Sequence, residues 1–353
     1  MAGSFRPTIR FDLQPFTYHP PPITYHPPPI TYHLSPITYH PPPTTHHLSP
    51  ITYSATPYGK IRQMLKNLIE TLRPRQWTKN FVIFAGLIFD RQLFSVVPAL
   101  RVLAAFGIFC LVSGLTYTIN DIIDLKADRK HPQKCHRPLA SGRLSLKQAI
   151  ILAILLALVG LSTAFLLSWK LGLISIAYTL LMLAYSKWLK HIMIVDVMVI
   201  AAGFLLRVLA GISVIQVSFF SPWLFILTAL LALFLGFGKR IAELRLLEGN
   251  AGKFRKVLNG YSIPLLNQYL IVMLAAILIT YMLYTFSAHP QGPSYAMMLT
   301  IPFVFFGIFR YMYLIQNFNT ASAPEEILLK DHPLQAAILL WGVAVMLILY
   351  LRY

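Results

Sequence analysis

The sequence predicts an all-α polytopic membrane protein of about nine transmembrane helices, and three observations carry that prediction. Of the 353 residues 56% are hydrophobic and only 12% charged, and the mean hydropathy is +0.62. A soluble domain has no use for so much apolar surface. The apolar residues fall into consecutive runs of about 15 to 25, each enough to cross a bilayer as a helix. The charges collect between those runs, so the net charge of +18 describes short basic loops and excludes a nucleic-acid surface.

Residues 1–59 are a different material. From Tyr18 to Thr52 a seven-residue unit recurs five times, as YHPPPIT, YHPPPIT, YHLSPIT, YHPPPTT and HHLSPIT. Proline at that density can donate to neither helix nor sheet, so the segment is expected to be a disordered or PPII-like tail ahead of a membrane domain at 60–353. It lacks the apolar centre of a signal peptide. Its histidines read as the product of tandem duplication and not as a metal tract.

Nine spans follow, at about 79–95, 99–122, 146–168, 171–189, 192–216, 221–245, 262–287, 294–317 and 333–352. Asp90 and Arg91 interrupt the first, which makes it the weakest. Segments 60–79, 123–147, 186–191, 238–256 and 317–333 hold 22 Lys and Arg, and the opposite side holds four: Arg91, Arg101, Lys170 and Arg352. The positive-inside rule therefore puts the N-terminus and the 123–147 loop in the cytoplasm, in a cell inner (plasma) membrane, with the C-terminus outside. Cys110 lies in an apolar run and Cys135 in a loop, so no disulfide is expected.

The chemistry concentrates in Asn120–Gly142, NDIIDLKADRKHPQKCHRPLASG. Asp121, Asp124 and Asp128 stand three and then four residues apart, steps that turn a helix by about 300° and 40°. All three should project from one face over two turns. Three uncompensated acids there repel one another unless a hard dication sits between them, and magnesium takes a few carboxylates plus phosphate oxygens. Arg129, Lys130, His131, Lys134, His136 and Arg137 follow directly and can hold the phosphates.

Acids elsewhere are few. Asp196 sits deep in a membrane run, with Arg207 about 20° away around the same helix but about 16 Å along it, so each should meet partners on other helices. Arg310 is expected to snorkel to the interface. Lys239 and Arg240 close a helix on the aspartate side, with Glu243 beyond them, and Lys79, Lys187 and Lys190 face the same compartment. Aspartates for a metal with Lys and Arg around them describe a site for a diphosphate leaving group and a second anion at a bilayer surface.

The Asn120–Gly142 run resembles the first aspartate-rich signature of the UbiA superfamily of intramembrane prenyltransferases. RPRQWTKN, YSKWLKHIMIVDVMVIAAGFLLRVLAG, GFGKRIAEL and PEEILLKDHPLQ, in that order, resemble its decaprenyl-phosphate phosphoribosyltransferase branch. The resemblance covers residue 64 to the end. It implies a UbiA-like bundle around a central cavity, open to the cytoplasm and laterally to the bilayer. It also implies magnesium-dependent transfer of phosphoribosyl from phosphoribosyl pyrophosphate to a polyprenyl phosphate, with release of pyrophosphate, for cell-envelope pentose carriers. On the resemblance, Asn120, Asp121, Asp124 and Asp128 would hold magnesium and the donor pyrophosphate. Arg129, Lys134 and Arg137 would neutralise phosphates, and Tyr185 and Lys190 would lie at the cavity mouth. Lys79, Arg207, Lys239, Arg240 and Glu243 complete the expected substrate contacts. Aromatic prenyltransferases of the superfamily carry a second acidic motif, DxxxD, where this chain has Lys239, Arg240 and Glu243. That departure counts against the alternative, prenyl transfer from a prenyl diphosphate to an aromatic acceptor. A transporter of an anionic lipid, the third possibility, would call for internal repeats that the membrane region does not display.

Overall fold

The computed structural model describes residues 57–217, 222–246, 256–286, 295–317, 327 and 330–351. All belong to the unit Ala55–Tyr353. The expected disordered tail lies outside the described residues except for its last three, which open a helix. Also outside are 247–255 of the basic 238–256 loop and most of PEEILLK.

Every regular element described is helical. The first, α1 (Pro57–Leu72), precedes a 3-10 helix at Pro74–Phe84 that runs into α2 (Ala85–Phe89). Next come α3 (Val96–Ile123), the single turn α4 (Leu125–Asp128), α5 (Leu146–Leu167), α6 (Trp169–Lys187), α7 (Val195–Ile212) and α8 (Pro222–Leu246). The chain finishes with α9 (Ile263–Phe286), α10 (Ile301–Asn317) and α11 (His332–Tyr350). Among the described residues eight helices are long and apolar enough to cross a membrane, the seventh being α10 with the 3-10 turn before it, Tyr295–Gln316. Their bounds lie within a few residues of the expected spans.

The ninth expected span, 79–95, is the exception. It is not one α-helix but the eleven-residue 3-10 helix and the five-residue α2, ending in a turn where Arg91 has φ 58°. A 3-10 helix rises about 2.0 Å per residue against about 1.5 Å for an α-helix, and this pair is not among the eight helices long and apolar enough to cross.

Local signals explain the joints. Ser145 caps α5 by accepting from the Gln148 N–H while the Gln148 side chain accepts from the Ser145 N–H, a reciprocal capping box. Ser168 alone, in extended conformation, separates α5 from α6. Asp331 caps α11, accepting from the Leu334 N–H at 2.8 Å, with Pro333 in the first turn.

Two hydrophobic cores share α7. One joins the 3-10 helix, α3, α6 and the far end of α7 through Ile83, Phe109, Tyr178 and Ala210. The other joins the start of α7 to α8, α9 and α10 through Val197, Phe237, Leu270 and Tyr311. Gly211 lets α7 meet the 3-10 backbone, because a Cβ there would overlap the Ile83 carbonyl oxygen. A smaller cluster of Leu139, Leu144 and Ala149, with Leu68, Ile122 and Leu125 against it, pins the loop after α4 to the end of the bundle. That loop carries the basic half of the motif.

Candidate active site

The three aspartates do not share one continuous helix. α3 stops at Ile123, Asp124 leaves it with φ −88° and ψ 4°, and Asp128 closes the separate turn α4. Nor are they uncompensated, as their spacing had suggested. Arg137 Nη1 donates to Asp121 Oδ1 at 3.0 Å and to Asp128 Oδ2 at 2.5 Å. The Arg73 guanidinium donates to the same Asp121 Oδ1, and Lys190 Nζ donates to Asp124 Oδ1 at 2.5 Å. Three cations from three distant segments thus meet three acids at one end of the bundle. Asp121 and Asp128 are each 3% exposed, and charges so withdrawn from water survive only when paired.

Arg73, the first residue of RPRQWTKN, was not among the expected site residues. It sits between α1 and Pro74 in the left-handed region, φ 54° and ψ 64°, at a cost of about 1–3 kcal/mol for a residue with a Cβ. Its guanidinium lies 5.0 Å from the Tyr117 ring centroid and reaches Asp121. Backbone strain is spent on aiming a cation.

A second strained turn stands behind Lys190. Ile194, φ 68° and ψ −48°, centres a γ-turn closed by the Val195 N–H to Met193 carbonyl bond of 2.8 Å. The Ile194 N–H donates to the Tyr261 hydroxyl at 2.7 Å, which donates to Asp196 Oδ1 at 2.8 Å. Arg240 Nε lies 3.2 Å from Asp196 Oδ2, and its Nη1 donates to Glu243. Asp196 therefore does find partners on other helices. Arg240, however, is not the open anion-binding charge expected of it: it is 1% exposed and its charge is committed to two acids. Burial, with the bond to Asp196, lifts the Tyr261 phenol above its ordinary pKa, so it stays a donor.

Arg207 sits apart from the aspartates. Its Nε donates to Asn80 Oδ1 at 2.7 Å, Nη1 to the Gly203 carbonyl at 2.9 Å and Nη2 to the Tyr178 hydroxyl at 2.7 Å, joining α6, α7 and the 3-10 helix. Arg310 does not snorkel alone; Nε and Nη2 hold both oxygens of Asp331, at 3.2 and 2.8 Å. Arg129 is exposed, and Lys79, Asn120, Lys134, Tyr185 and Lys239 are half-buried. His131 Nδ1 accepts from the Gln133 and Lys134 N–H groups at 3.2 and 3.4 Å. Burial, helped by the charge of Lys134, pushes that imidazole below its ordinary pKa, while Asp128 and Glu243 pull the other way. Glu243 of α8 thus lies within electrostatic reach of the motif loop.

Among the described residues no three His, Cys, Asp or Glu side chains form a ready metal cage. The donor set nevertheless suits a hard dication. Asp121 Oδ2, Asp124 Oδ2 and Asp128 Oδ1 accept from no donor among the described residues, because the cations take the other oxygen of each. Magnesium commonly takes one or two carboxylates and completes its shell with waters and substrate phosphates.

The UbiA prenyltransferase family model matches residues 81–325. The chain is 35% identical over 300 residues to the decaprenyl-phosphate phosphoribosyltransferase of Mycolicibacterium smegmatis, covering 80% of this chain and 92% of that one. It is 32% identical over 304 residues to the protein of the same name in Corynebacterium glutamicum, with 83% and 90% covered. In fold it is similar to a UbiA homolog from Archaeoglobus fulgidus bound to GPP and Mg2+, with TM-score 0.60 and 19% identity over 79% of this chain and 99% of that one. A UbiA homolog from Aeropyrum pernix K1 gives TM-score 0.55 at 15% identity, with 79% and 98% covered.

Proposed function

The chain belongs to the UbiA prenyltransferase family, and we propose that it transfers 5-phosphoribosyl from phosphoribosyl pyrophosphate to a polyprenyl phosphate, releasing pyrophosphate. The observation that carries this is the likeness to relatives named decaprenyl-phosphate phosphoribosyltransferase over nine-tenths of their length. The chemistry of α8 supports it. Where a prenyl-diphosphate enzyme would present a second acidic pair for metal, α8 presents Lys239, a buried Arg240 and a Glu243 already paired with it. The product would feed lipid-linked pentose for the cell envelope, from a multi-pass position in the plasma membrane with the site facing the cytoplasm.

In this mechanism Asp121, Asp124 and Asp128, with Asn120 beside them, would hold magnesium. When bound, the metal supplies positive charge to the pyrophosphate leaving group. Arg137 and Arg73 hold the Asp121 and Asp128 carboxylates in place. Lys134, Arg129, Lys79 and Lys239 surround the donor and acceptor phosphates, and Tyr185 lines the approach. A phosphate monoester is anionic at neutral pH, so its oxygen attacks the ribosyl carbon without a strong base. The larger obstacle is anion against anion, roughly 3 kcal/mol per charge pair at ~5 Å in an effective dielectric of 20. Lysines and arginines offset that repulsion. Arg240 and Arg207, enclosed in their networks, hold helices and not substrate.

The test uses the purified full-length protein in vesicles with magnesium, labelled phosphoribosyl pyrophosphate and decaprenyl phosphate. Label should move into the lipid and unlabelled pyrophosphate should appear. Prenylation of an aromatic acid from a prenyl diphosphate, with no labelled lipid, would overturn the assignment.

A further inference from the structure

Helix α1 is amphipathic in three sectors, not two. At about 100° per residue from Ile61, the residues Asn67, Thr71 and Leu68 fall at about 240°, 280° and 340°. From Asn67 onward this sector faces the protein: Asn67 and Thr71 are 4% and 1% exposed, Leu68 packs on the motif-loop cluster, and Asn67 Nδ2 donates to the Arg143 carbonyl at 3.0 Å, whereas Met64, a turn earlier at about 300°, is 40% exposed. Ile61, Leu65 and Ile69 fall at about 0°, 40° and 80°, and all three are at least half exposed, while Leu72 at about 20°, in the last turn, packs on the bundle. Arg62, Lys66, Glu70 and Gln63 follow at about 100°, 140°, 180° and 200°, all exposed.

An apolar strip between a protein-facing side and a polar side rimmed by Arg and Lys is the pattern of a helix lying in a bilayer surface. Two further features identify the occupant of the strip as lipid. The helix is tethered beside the start of the lipid-facing belt, since Asn67 holds the Arg143 carbonyl and α5 begins its exposed apolar surface three residues on, at Leu146. The two charges flanking the strip are both basic, the complement of anionic headgroups. We propose that Pro57–Leu72 is an in-plane anchor seated in the headgroup layer of an anionic phospholipid membrane. One residue beyond it, Arg73 donates to Asp121, so the anchor fixes the register of a cation at the acid cluster.

The experiment labels single cysteines with an environment-sensitive fluorophore, at Leu65→Cys or Gln63→Cys, in full-length protein that also carries Cys110→Ala and Cys135→Ser. The protein is reconstituted in phosphatidylcholine vesicles with or without phosphatidylglycerol, some containing brominated acyl chains. Bromolipid should quench the probe at 65 and leave the probe at 63 bright, most strongly with phosphatidylglycerol present. Arg62→Gln with Lys66→Gln should shift the docked-to-undocked ratio by about thirtyfold, two charges' worth of headgroup attraction. Equal quenching at both positions would overturn the proposal. So would quenching at 65 that arises only when residues 1–56 are deleted, or an unquenched 65 that cross-links to a second copy of the chain.

Discussion

Arg137 donates from one nitrogen to two carboxylates, so removing it exposes Asp121 and Asp128 to each other as well as to loss of a partner. Arg137→Gln should cost about 1.5–3 kcal/mol for each lost charge-assisted bond, and transfer measured by the labelled-lipid assay should fall by at least tenfold. Tyr261 acts at one remove. Tyr261→Phe takes the acceptor from the strained Ile194 N–H and a donor from Asp196, and should lower thermal stability by about 1.5–3 kcal/mol. It should also reduce transfer by loosening Lys190, and should cause no further loss of transfer once Lys190→Met is present, the sign of a shared pathway in a double-mutant cycle. At this scale the sequence was only half readable. It told which residues were chemically unusual, because acids are scarce among so many apolar residues. It could not tell that Asp124 would meet Lys190 across 66 residues or that Arg73 would bend back to Asp121 across 48.

Helices were the most legible layer, because each needs only a long apolar run and a polar boundary. Two elements escaped that logic. The 3-10 helix has the composition of a weak span, and nothing in it sets the tighter winding apart. The break at Asp124 occurs inside a spacing that a continuous helix would satisfy equally well, so side-chain pairing and not helix propensity decides it. Asp331 offers a test of how an element's end is held. The Arg310 guanidinium, aided by the Leu334 N–H, holds its carboxyl below the usual carboxylate range. A depressed folded-state pKa stabilises the fold above the unfolded value, near 3.9, and that contribution fades as pH falls through the folded-state value. Asp331→Asn keeps a good cap but loses the charge. Its melting temperature should therefore trail the wild type at neutral pH and converge with it below about pH 4.

On the scale of the whole molecule, the repeat-bearing tail and the membrane domain differ so sharply in composition that the sequence draws a boundary near residue 59. The structure moves the sensible cut. Deletion of 1–63, which composition alone would permit, removes nearly two turns of α1, whereas deletion of 1–56 leaves it whole. Deleting 1–56 should preserve both membrane insertion and phosphoribosyl transfer, scored by membrane fractionation and the labelled-lipid assay. Deleting 1–72 should insert but transfer poorly, because α1 takes with it Glu70 from Arg143 and the seat that aims Arg73 at Asp121.

The wide separation of the paired charges has a meaning in time. At roughly 5–20 residues per second of synthesis, Lys190 follows Asp124 out of the ribosome by about 3 to 13 s. Tyr261 trails Asp196, 65 residues earlier, by nearly as long. Meanwhile α3 and α7 are made before Lys190 and Tyr261 are available to their acids. A carboxylate at mid-bilayer costs about 2.5–3.5 kcal/mol on insertion, but Asp124 terminates α3 and Asp196 opens α7, where water can still solvate them. The order in which the groups are made thus favours acids at helix ends, held by water until their later donors arrive.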